Sequence, residues 1–388
     1  MFNTINTGMS GLIAYSKGLQ TIGNNLTNVN TPGFKGVDQE FSSLFSQQGS
    51  QGDPAGPSNG SGIETPGTHI NFNQGQVNQT GNPLDVALNG QGFFILRQGS
   101  ATTYTRAGQF EFNKDGILVQ AGGTAHVAGL NDSGTLQDIS LEGFKTNPGK
   151  VTTTVKFSQN LAADNTADLS MAGVNVFDAG GGTHALSLTF HNNATPVGNW
   201  TVTVKDENGA TVGTGTLQFT NGNLAAGASA IALNFTPRGM AAQTISLDFS
   251  GVQSVNSGGT SSLSTSSIDG HATGNLRSET FDASGTLVFT YSNGETIKGP
   301  HLALAGFDSF EGLSEISGNA FISKTAPHLG IAGSSAFGTV GAGTIEGSNV
   351  DLSQQFSNLI IMQRGYQAAS QIVSVSNELI QTLLDMRK

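Results

Sequence analysis

The 388-residue sequence predicts a multidomain α+β protein, with terminal α-helices forming a coiled-coil-like inner domain and two mainly-β domains nested by insertion between them. Two periodicities and one interruption point to this class. Apolar residues recur every seventh position at each end of the chain, as on a helical stripe, whereas in the middle they alternate with polar ones, as on half-buried strands. Strand-like segments resume beyond a second alternating block and a Gly/Ser tract, so one β-domain interrupts another. Composition agrees: charged residues make up 11% of the chain, against roughly 25% in an ordinary globular domain, and 54 glycines favour short strands and tight turns.

At the N-terminus, Ile5, Leu12, Leu19 and Leu26 fall seven apart with Met9, Ile13, Ile22 and Val29 beside them, which predicts a helix of roughly 25 residues. The stretch "NNLTNVNTPGFK" (24–35) ends it. Asn28 and Asn30 suit left-handed or turn geometry, and their amides can satisfy the last helical carbonyls. Pro32 and Gly33 fit the two central positions of a type II turn, with Phe34 as an anchor on the next element. The amides of Asn25 and Asn28 are also expected to point sideways and to hydrogen-bond neighbouring copies, a way to join packed helices without burying charge.

Residues 31–70 read as a connector, its part 47–62 rich in Gln, Gly, Ser and Pro and expected to be flexible. A β-domain is expected over 71–146 and 284–347, where "LDVALNGQGFFILR" (84–97) and "YTRAGQFEFNKDGILVQ" (104–120) read as strands with a turn at Asp115-Gly116. A second, outer one is expected over 147–283, a sandwich or barrel with alternation at Leu186-Leu188-Phe190, Val202-Val204, Leu217-Phe219, Ile231-Leu233-Phe235 and Ile245-Leu247-Phe249. The tract "SVNSGGTSSLSTSS" (254–267) reads as a surface loop or linker.

The C-terminal helix opens at "SNVD" (348–351), with Ser348 placed as N-cap and Asp351 as the capping-box acid. Leu352, Leu359, Tyr366, Val373 and Ile380 are again seven apart, flanked by Phe356, Met362, Ala369, Ile372, Leu379 and Leu383, over some 35 residues or about 50 Å. The terminal helical domain thus comprises 1–30 and 348–388. Both helices carry weakly polar seam positions (Ser16, Gly23, Ser376) and few charges on their outer faces. Two readings stay open: an antiparallel pair closing a core of its own, or faces buried against other copies of the chain. Burying a leucine contributes roughly 1.5–3 kcal/mol, against an ordering cost of about 1–2 kcal/mol per residue. The second reading therefore expects both ends to be disordered in a free monomer and ordered on assembly.

Other classes fare poorly. A net charge of −11 disfavours nucleic-acid partners. Without cysteine there are no disulfides, thiolate metal sites or thiol nucleophiles. No run of 18 apolar residues suggests a membrane span, and residues 1–34, with Lys17 as their one charge, do not read as a cleaved secretory signal. Gly56-Pro57-Ser58-Asn59-Gly60 spells G-x-S-x-G without a strand before it or a helix after it. His184 and His191 lack a third ligand at metal spacing, and "DENG" and "NKDG" read as hairpin turns, not calcium loops. No enzyme and no cofactor are expected.

Three stretches resemble the bacterial flagellar rod and hook protein family. "NNLTNVNTPGFK", with Asn24, Asn25, Asn28, Thr31, Pro32, Gly33 and Phe34, is similar to its N-terminal signature. "NPLDVALNGQGFF" with "YTRAGQFEFNKDGILV" resembles its core β-domain, and "SNVDLSQQFSNLIIMQRGYQAASQIVSVSNELIQTLL" its C-terminal helix. These cover about a quarter of the chain. The inserted block resembles the hook members, since distal-rod members are shorter; "VNVFDAGGGTHALSLTF" (174–190) is similar to the opening of their inserted domain, with an Asp and a His flanking a glycine turn. The resemblance implies a structural subunit exported unfolded by the flagellar type III apparatus, without a cleaved signal, and located in the flagellum outside the cell. It would self-assemble into a hollow curved tube, a universal joint passing motor torque from rod to filament. The implied partners are further copies of the chain, the distal rod, the hook cap and the hook–filament junction proteins. The alternatives are a distal-rod or basal-body subunit and, from another class, a secreted β-rich adhesin, which would have no use for two striped terminal helices.

Overall fold

The computed structural model describes residues 2–43, 62–131, 133–193, 198–227, 229–333 and 337–386. The Gly56–Gly60 serine motif and all but the last residue of the 47–62 stretch lie outside the described residues. The chain divides into two units, one of Met1–Leu141, Glu279–Val288 and Lys298–Lys388, the other of Glu142–Ser278 and Phe289–Ile297. Two long helices and a mostly β body give the multidomain α+β class.

In the first unit, α1 spans Phe2–Thr27 and α2 spans Leu352–Asp385. Asp351 is the N-cap of α2: its carboxylate accepts from the backbone N–H groups of Ser353 (2.8 Å) and Gln354 (3.2 Å). The expected cap, Ser348, lies three residues too early. Asn349 holds that stretch out of the helix, accepting from the Gly36 N–H at 2.7 Å and donating to the carbonyls of Asn71 and Asn73 at 2.7 and 2.9 Å. A carboxylate at Asp351 then meets the orphan amides and the positive end of the helix dipole.

The body of this unit is an antiparallel sheet around the hairpin Phe93–Gln98 and Ala101–Thr105, extended on one side by Ala320–Ser323 and Leu313–Ile316 and on the other by His126–Leu130. Phe93, Ile95, Tyr104, Ala128, Ala303, Ala305, Leu313 and Phe321 form its core. Phe72, Phe307 and Phe310 close over Phe93 with ring centroids 5.7–5.9 Å apart, within the favourable range for tilted and edge-on aromatic pairs. Between α1 and this sheet the chain is partly paired, Val37–Gln39 with Thr68–Ile70 and Ser42–Ser43 with Ile63–Glu64.

The second unit holds an antiparallel meander, Leu169–Phe177, Thr183–Asn193, Asn199–Lys205 and Thr211–Thr220, and a second group in which Thr154–Asn160 runs parallel to Gln243–Gln253. The alternating residues all turn inward: Leu186, Leu188, Phe190, Val202, Val204, Leu217, Phe219, Ile231, Leu233, Phe235, Ile245, Leu247 and Phe249 are buried around Trp200. "DENG" and "NKDG" are turns, with Gly209 and Gly116 at positive φ. One expectation needs correction. The end of the Gly/Ser tract is a strand, Ser264–Ile268, paired with Thr154–Asn160. Its backbone completes the sheet while Leu263 and Ile268 pack against the core, so polar side chains did not prevent strand pairing.

Candidate assembly surface on the terminal helices

The two helices run antiparallel, and small residues let them touch. A Cβ added at Gly8 would lie 2.7 Å from Val373 Cγ2, one at Gly11 3.2 Å from Ala369 Cβ, and one at Gly18 3.1 Å from Met362 Sδ. From the other side, a Cβ at Gly365 would lie 2.5 Å from the Tyr15 ring. The closest seam is therefore Gly8, Gly11, Ala14, Gly18, Ile22 and Asn25 against Gln355, Met362, Ala369 and Ser376. It is offset from the leucine stripe. Ile5, Leu12, Leu19, Leu26, Leu359, Val373 and Ile380 are half-buried along its flanks, and Leu352 and Tyr366 are exposed. The repeats 11-18-25 and 355-362-369-376 were in the sequence, but glycine, alanine and amides do not register as a hydrophobic stripe.

The pair covers one face of each helix; α1 also touches Val37–Gln39 and Ile63–Glu64, with Thr21 bonded to Gln39 and Ser10 to the Ile63 N–H, while much of α2 is left in water. Met9 and Ile13 on α1 are exposed, as are Phe356, Ile360, Ile361, Ile372, Val375, Leu379, Leu383, Leu384 and Met386 on α2. Ile361 and Leu384 retain 62% and 60% of their accessible surface. Ile361, Ile372, Val375, Leu379, Leu383 and Met386 fall on one side of α2 at three-, four- and seven-residue multiples, a second apolar stripe distinct from the seam. Charge is sparse: α1 carries Lys17, and α2 carries Arg364, Glu378 and Asp385. Such a surface suits association, since apolar cover is favourable and few ionic groups need desolvation.

Where the helices join the sheet, the signature residues form an internal collar. Asn25 is buried; its amide donates to the Val37 carbonyl (2.8 Å) and to Gln355 Oε1 (3.2 Å), and its oxygen accepts from the Val37 N–H (2.9 Å). Asn28 donates to the carbonyl and side-chain oxygen of Asn24 at 3.0 and 3.1 Å and accepts from the Thr31 hydroxyl at 3.1 Å. Both amides have partners within the chain, supplied by the turn and by α2, where the sequence suggests bonds to a neighbouring copy. Neither Asn28 nor Asn30 is left-handed; residues 28–30 form turns instead. Pro32 accepts from the Asn319 amide at 3.1 Å, and Phe34 is buried. Gly33 has φ +70, as the central position of a type II turn requires, and an added Cβ would meet the Ala107 backbone at 2.4 Å.

Beneath the collar lies an ion network absent from the sequence reading. Lys35 Nζ is 2.6 Å from Glu346 Oε1 and Arg106 Nη1 is 3.3 Å from Glu346 Oε2, with all three side chains at most 2% exposed. Lys35 also donates to the Asn73 carbonyl, Arg106 to the Gly90 carbonyl, and the Gly75 N–H to Glu346. Burial pulls the pKa of both Lys35 and Arg106 below their ordinary values, against the opposing pull of Glu346. The network ties the exit of α1, the end of Ala101–Thr105 and the strand leading into α2 to one carboxylate. Sequence offered no signal for it, because its members are 71 and 240 positions apart.

In the second unit, Asp178 and His184 flank the glycine turn and meet. His184 Nε2 is 3.0 Å from Asp178 Oδ2 and its Nδ1 is 3.5 Å from Glu207, while Asp178 accepts from the Gly180 and Gly182 N–H groups at 2.8 Å. The pKa of His184 is raised: burial works against it, and Asp178 and Glu207 outweigh burial. That of Asp178 is lowered by His184 and the two backbone donors. His191 pairs instead with Asp168 at 2.6 Å. Among the described residues no cluster of three or more His, Asp or Glu could hold a metal ion, and no helix is long and apolar enough to cross a membrane.

Four family models match the chain: flagella basal body rod protein over 5–35, flagellar hook protein FlgE/F/G D1 domain over 87–147, flagellar basal body protein FlaE D2 domain over 160–271, and flagellar basal body rod FlgEFG protein C-terminal over 342–386. The chain is similar to the flagellar hook protein FlgE of Escherichia coli (strain K12), 32% identical over 410 residues and covering 98% of each chain. It is 30% identical over 465 residues to that of Treponema pallidum (strain Nichols) and 28% identical over 416 residues to that of Rhizobium meliloti (strain 1021), covering 100% of both chains in each case. Among solved structures, the flagellar hook protein FlgE2 of Helicobacter pylori is similar with a TM-score of 0.47 and 13% identity, over 68% of this chain and 98% of that one.

Proposed function

The chain belongs to the flagellar hook protein family and is a structural subunit of the bacterial flagellar hook, and from that premise we propose that its terminal helices drive helical self-assembly into a hollow, curved tube. The observation that carries this reading is the second apolar stripe of α2, left in water once the helix pair has closed on its glycine seam. One further helix per molecule does not cover such a surface along its whole length, whereas a screw-related series of identical copies does so repeatedly without closing. Curvature requires neighbours to slide somewhere, and the inserted β-unit, with its polar exterior, is the part we assign to weak sliding contacts.

On this reading the polymer is a universal joint between rod and filament. It meets distal-rod, hook-cap and hook–filament junction proteins at its ends, lies outside the cell, and receives subunits through the flagellar type III export apparatus without a cleaved signal. It performs no catalysis. Concentrating the purified full chain and imaging it by negative-stain microscopy tests the central claim: curved hollow tubes are expected, and Ile361→Ser with Leu379→Ser leaves a folded monomer that forms none. A wild-type chain that stays monomeric at every concentration would overturn it.

A further inference from the structure

In the first unit, four side chains form a line of short contacts that ends on an imidazole. Ser284 Oγ lies 2.6 Å from Asp282 Oδ1 and 2.7 Å from Thr286 Oγ1, and Thr286 Oγ1 lies 2.8 Å from His301 Nδ1. Each distance is that of a hydrogen bond with its proton in place. The sequence spaces Asp282, Ser284 and Thr286 two apart around a turn, closed by the Gly285 N–H on the Asp282 carbonyl and the Asp282 N–H on the Thr286 carbonyl, both at 2.9 Å. His301 comes from the strand Thr296–Leu302, and the Leu302 N–H donates to the Gly285 carbonyl at 2.8 Å, which brings the imidazole against Thr286. The carboxylate at the other end is ionised. Burial pushes the pKa of Asp282 up, but the Ser284 hydroxyl and the N–H groups of Thr286 and Ser284, each at 2.9 Å, outweigh burial and hold it below the ordinary value.

Three contacts need three protons. An ionised carboxylate supplies none and each hydroxyl supplies one. Ser284 therefore donates to Asp282 and Thr286 to Ser284, so the third proton has to come from His301 Nδ1. With that proton on Nε2 alone, Thr286 would donate to the imidazole, and one of the two oxygen pairs, at 2.6 or 2.7 Å, would be left lone pair against lone pair. We infer that Asp282, acting through Ser284 and Thr286, fixes neutral His301 as its Nδ1–H tautomer and makes Nε2 the nitrogen that accepts a proton or a hydrogen bond from outside the chain. Nε2 has no partner among the described residues and is not sealed from water. While the imidazole is neutral, the site selects donors, such as water or an amide N–H, over acceptors. The imidazolium also carries a proton on Nδ1, so loading Nε2 breaks no bond of the relay.

Nitrogen-15 magnetic resonance of the full-length chain labelled at histidine tests this, with the His301 signals identified by their loss in His301→Gln. In the neutral form, Nδ1 is expected at the shift of a protonated ring nitrogen and Nε2 at that of a bare one. Thr286→Val keeps the shape of the side chain and removes the middle hydroxyl, so His301 should revert mostly to the Nε2–H form that prevails in a free side chain, and the two shifts should trade places. Thr286→Ser retains the relay and should keep the wild-type pattern. A purely structural part for Thr286 would leave the two shifts where they are in all three chains. Thr286 is buried, so unchanged helical circular dichroism identifies a folded valine variant; should that variant not fold, the wild type and Thr286→Ser still decide. Wild-type His301 protonated on Nε2, a folded Thr286→Val with an unmoved pattern, or Thr286→Ser with exchanged shifts would overturn the assignment.

Discussion

Glu346→Gln is the substitution from which the structure predicts the largest single effect. Glutamine keeps the shape and can still accept from Gly75, but it removes the negative charge between Lys35 and Arg106, which lie 2.6 and 3.3 Å away. Two cations would then face each other with almost no solvent. Removing one partner of a buried ionic group costs about 3–5 kcal/mol. Lys35 provides a ceiling, since it can shed its proton: moving its pKa from 10.5 to neutrality at about 1.4 kcal/mol per unit costs about 5 kcal/mol. The measurement is native-state amide exchange in the Phe93–Gln98 strand, which should quicken roughly 100- to 4000-fold. Trp200, the single tryptophan, buried in the other unit, supplies an internal control whose fluorescence transition should not move. The pH dependence has a definite sign. With the folded pKa of Lys35 depressed, the unfolded chain binds more protons between that value and 10.5, so the variant should gain stability as pH rises through this window. Unchanged exchange at pH 7, or stability that falls with rising pH over that range, would refute the account of the network.

Three further outcomes follow from the same geometry. Asn25→Leu strands the Val37 backbone groups and Gln355 and should lower monomer stability by about 1–3 kcal/mol in chemical denaturation, an effect on folding and not only on polymer yield. Gly8→Val drives side-chain atoms into Val373 and should destabilise the helix pair by about 1–3 kcal/mol, read as lost helical circular dichroism on mild heating. In the second unit, the raised pKa of His184 means its stabilisation is complete below about 6.5 and is lost as pH rises through the folded value, whereas the lowered pKa of Asp178 means its share is lost as pH falls through that lower value. His184→Ala should remove the neutral-range slope from the Trp200 unfolding midpoint.

How much was legible differed by mechanism. Strands of the second unit could be read because the large inward residues, from Leu186 to Phe249, recur at every second position between polar or small ones, and such a local period survives any loop arrangement. Both helices were legible for the same reason, and Pro32-Gly33 announced its turn because few residues fit there. The helix seam was not legible as such. Its contact residues are glycine, alanine and amides, chosen for what they leave out, while the leucines that dominate the pattern lie beside it. The collar and the ion network depend on which distant strands are brought together, as when Lys35 meets Glu346, and no local period encodes that. The N-cap fell three residues from its expected place because Asn349, bonded to strands elsewhere, outcompeted the local capping pattern.

The missing side chains along the seam have one more effect. Gly8, Gly11, Gly18 and Gly365 each weaken a helix by about 1 kcal/mol relative to alanine, so each rod by itself is a reluctant one. A terminus built this way straightens into thread under little load and stiffens only on finding its mate. For a component exported unfolded and then loaded in torsion, as proposed above, softness in transit and rigidity on arrival come from the same four absent methyl groups.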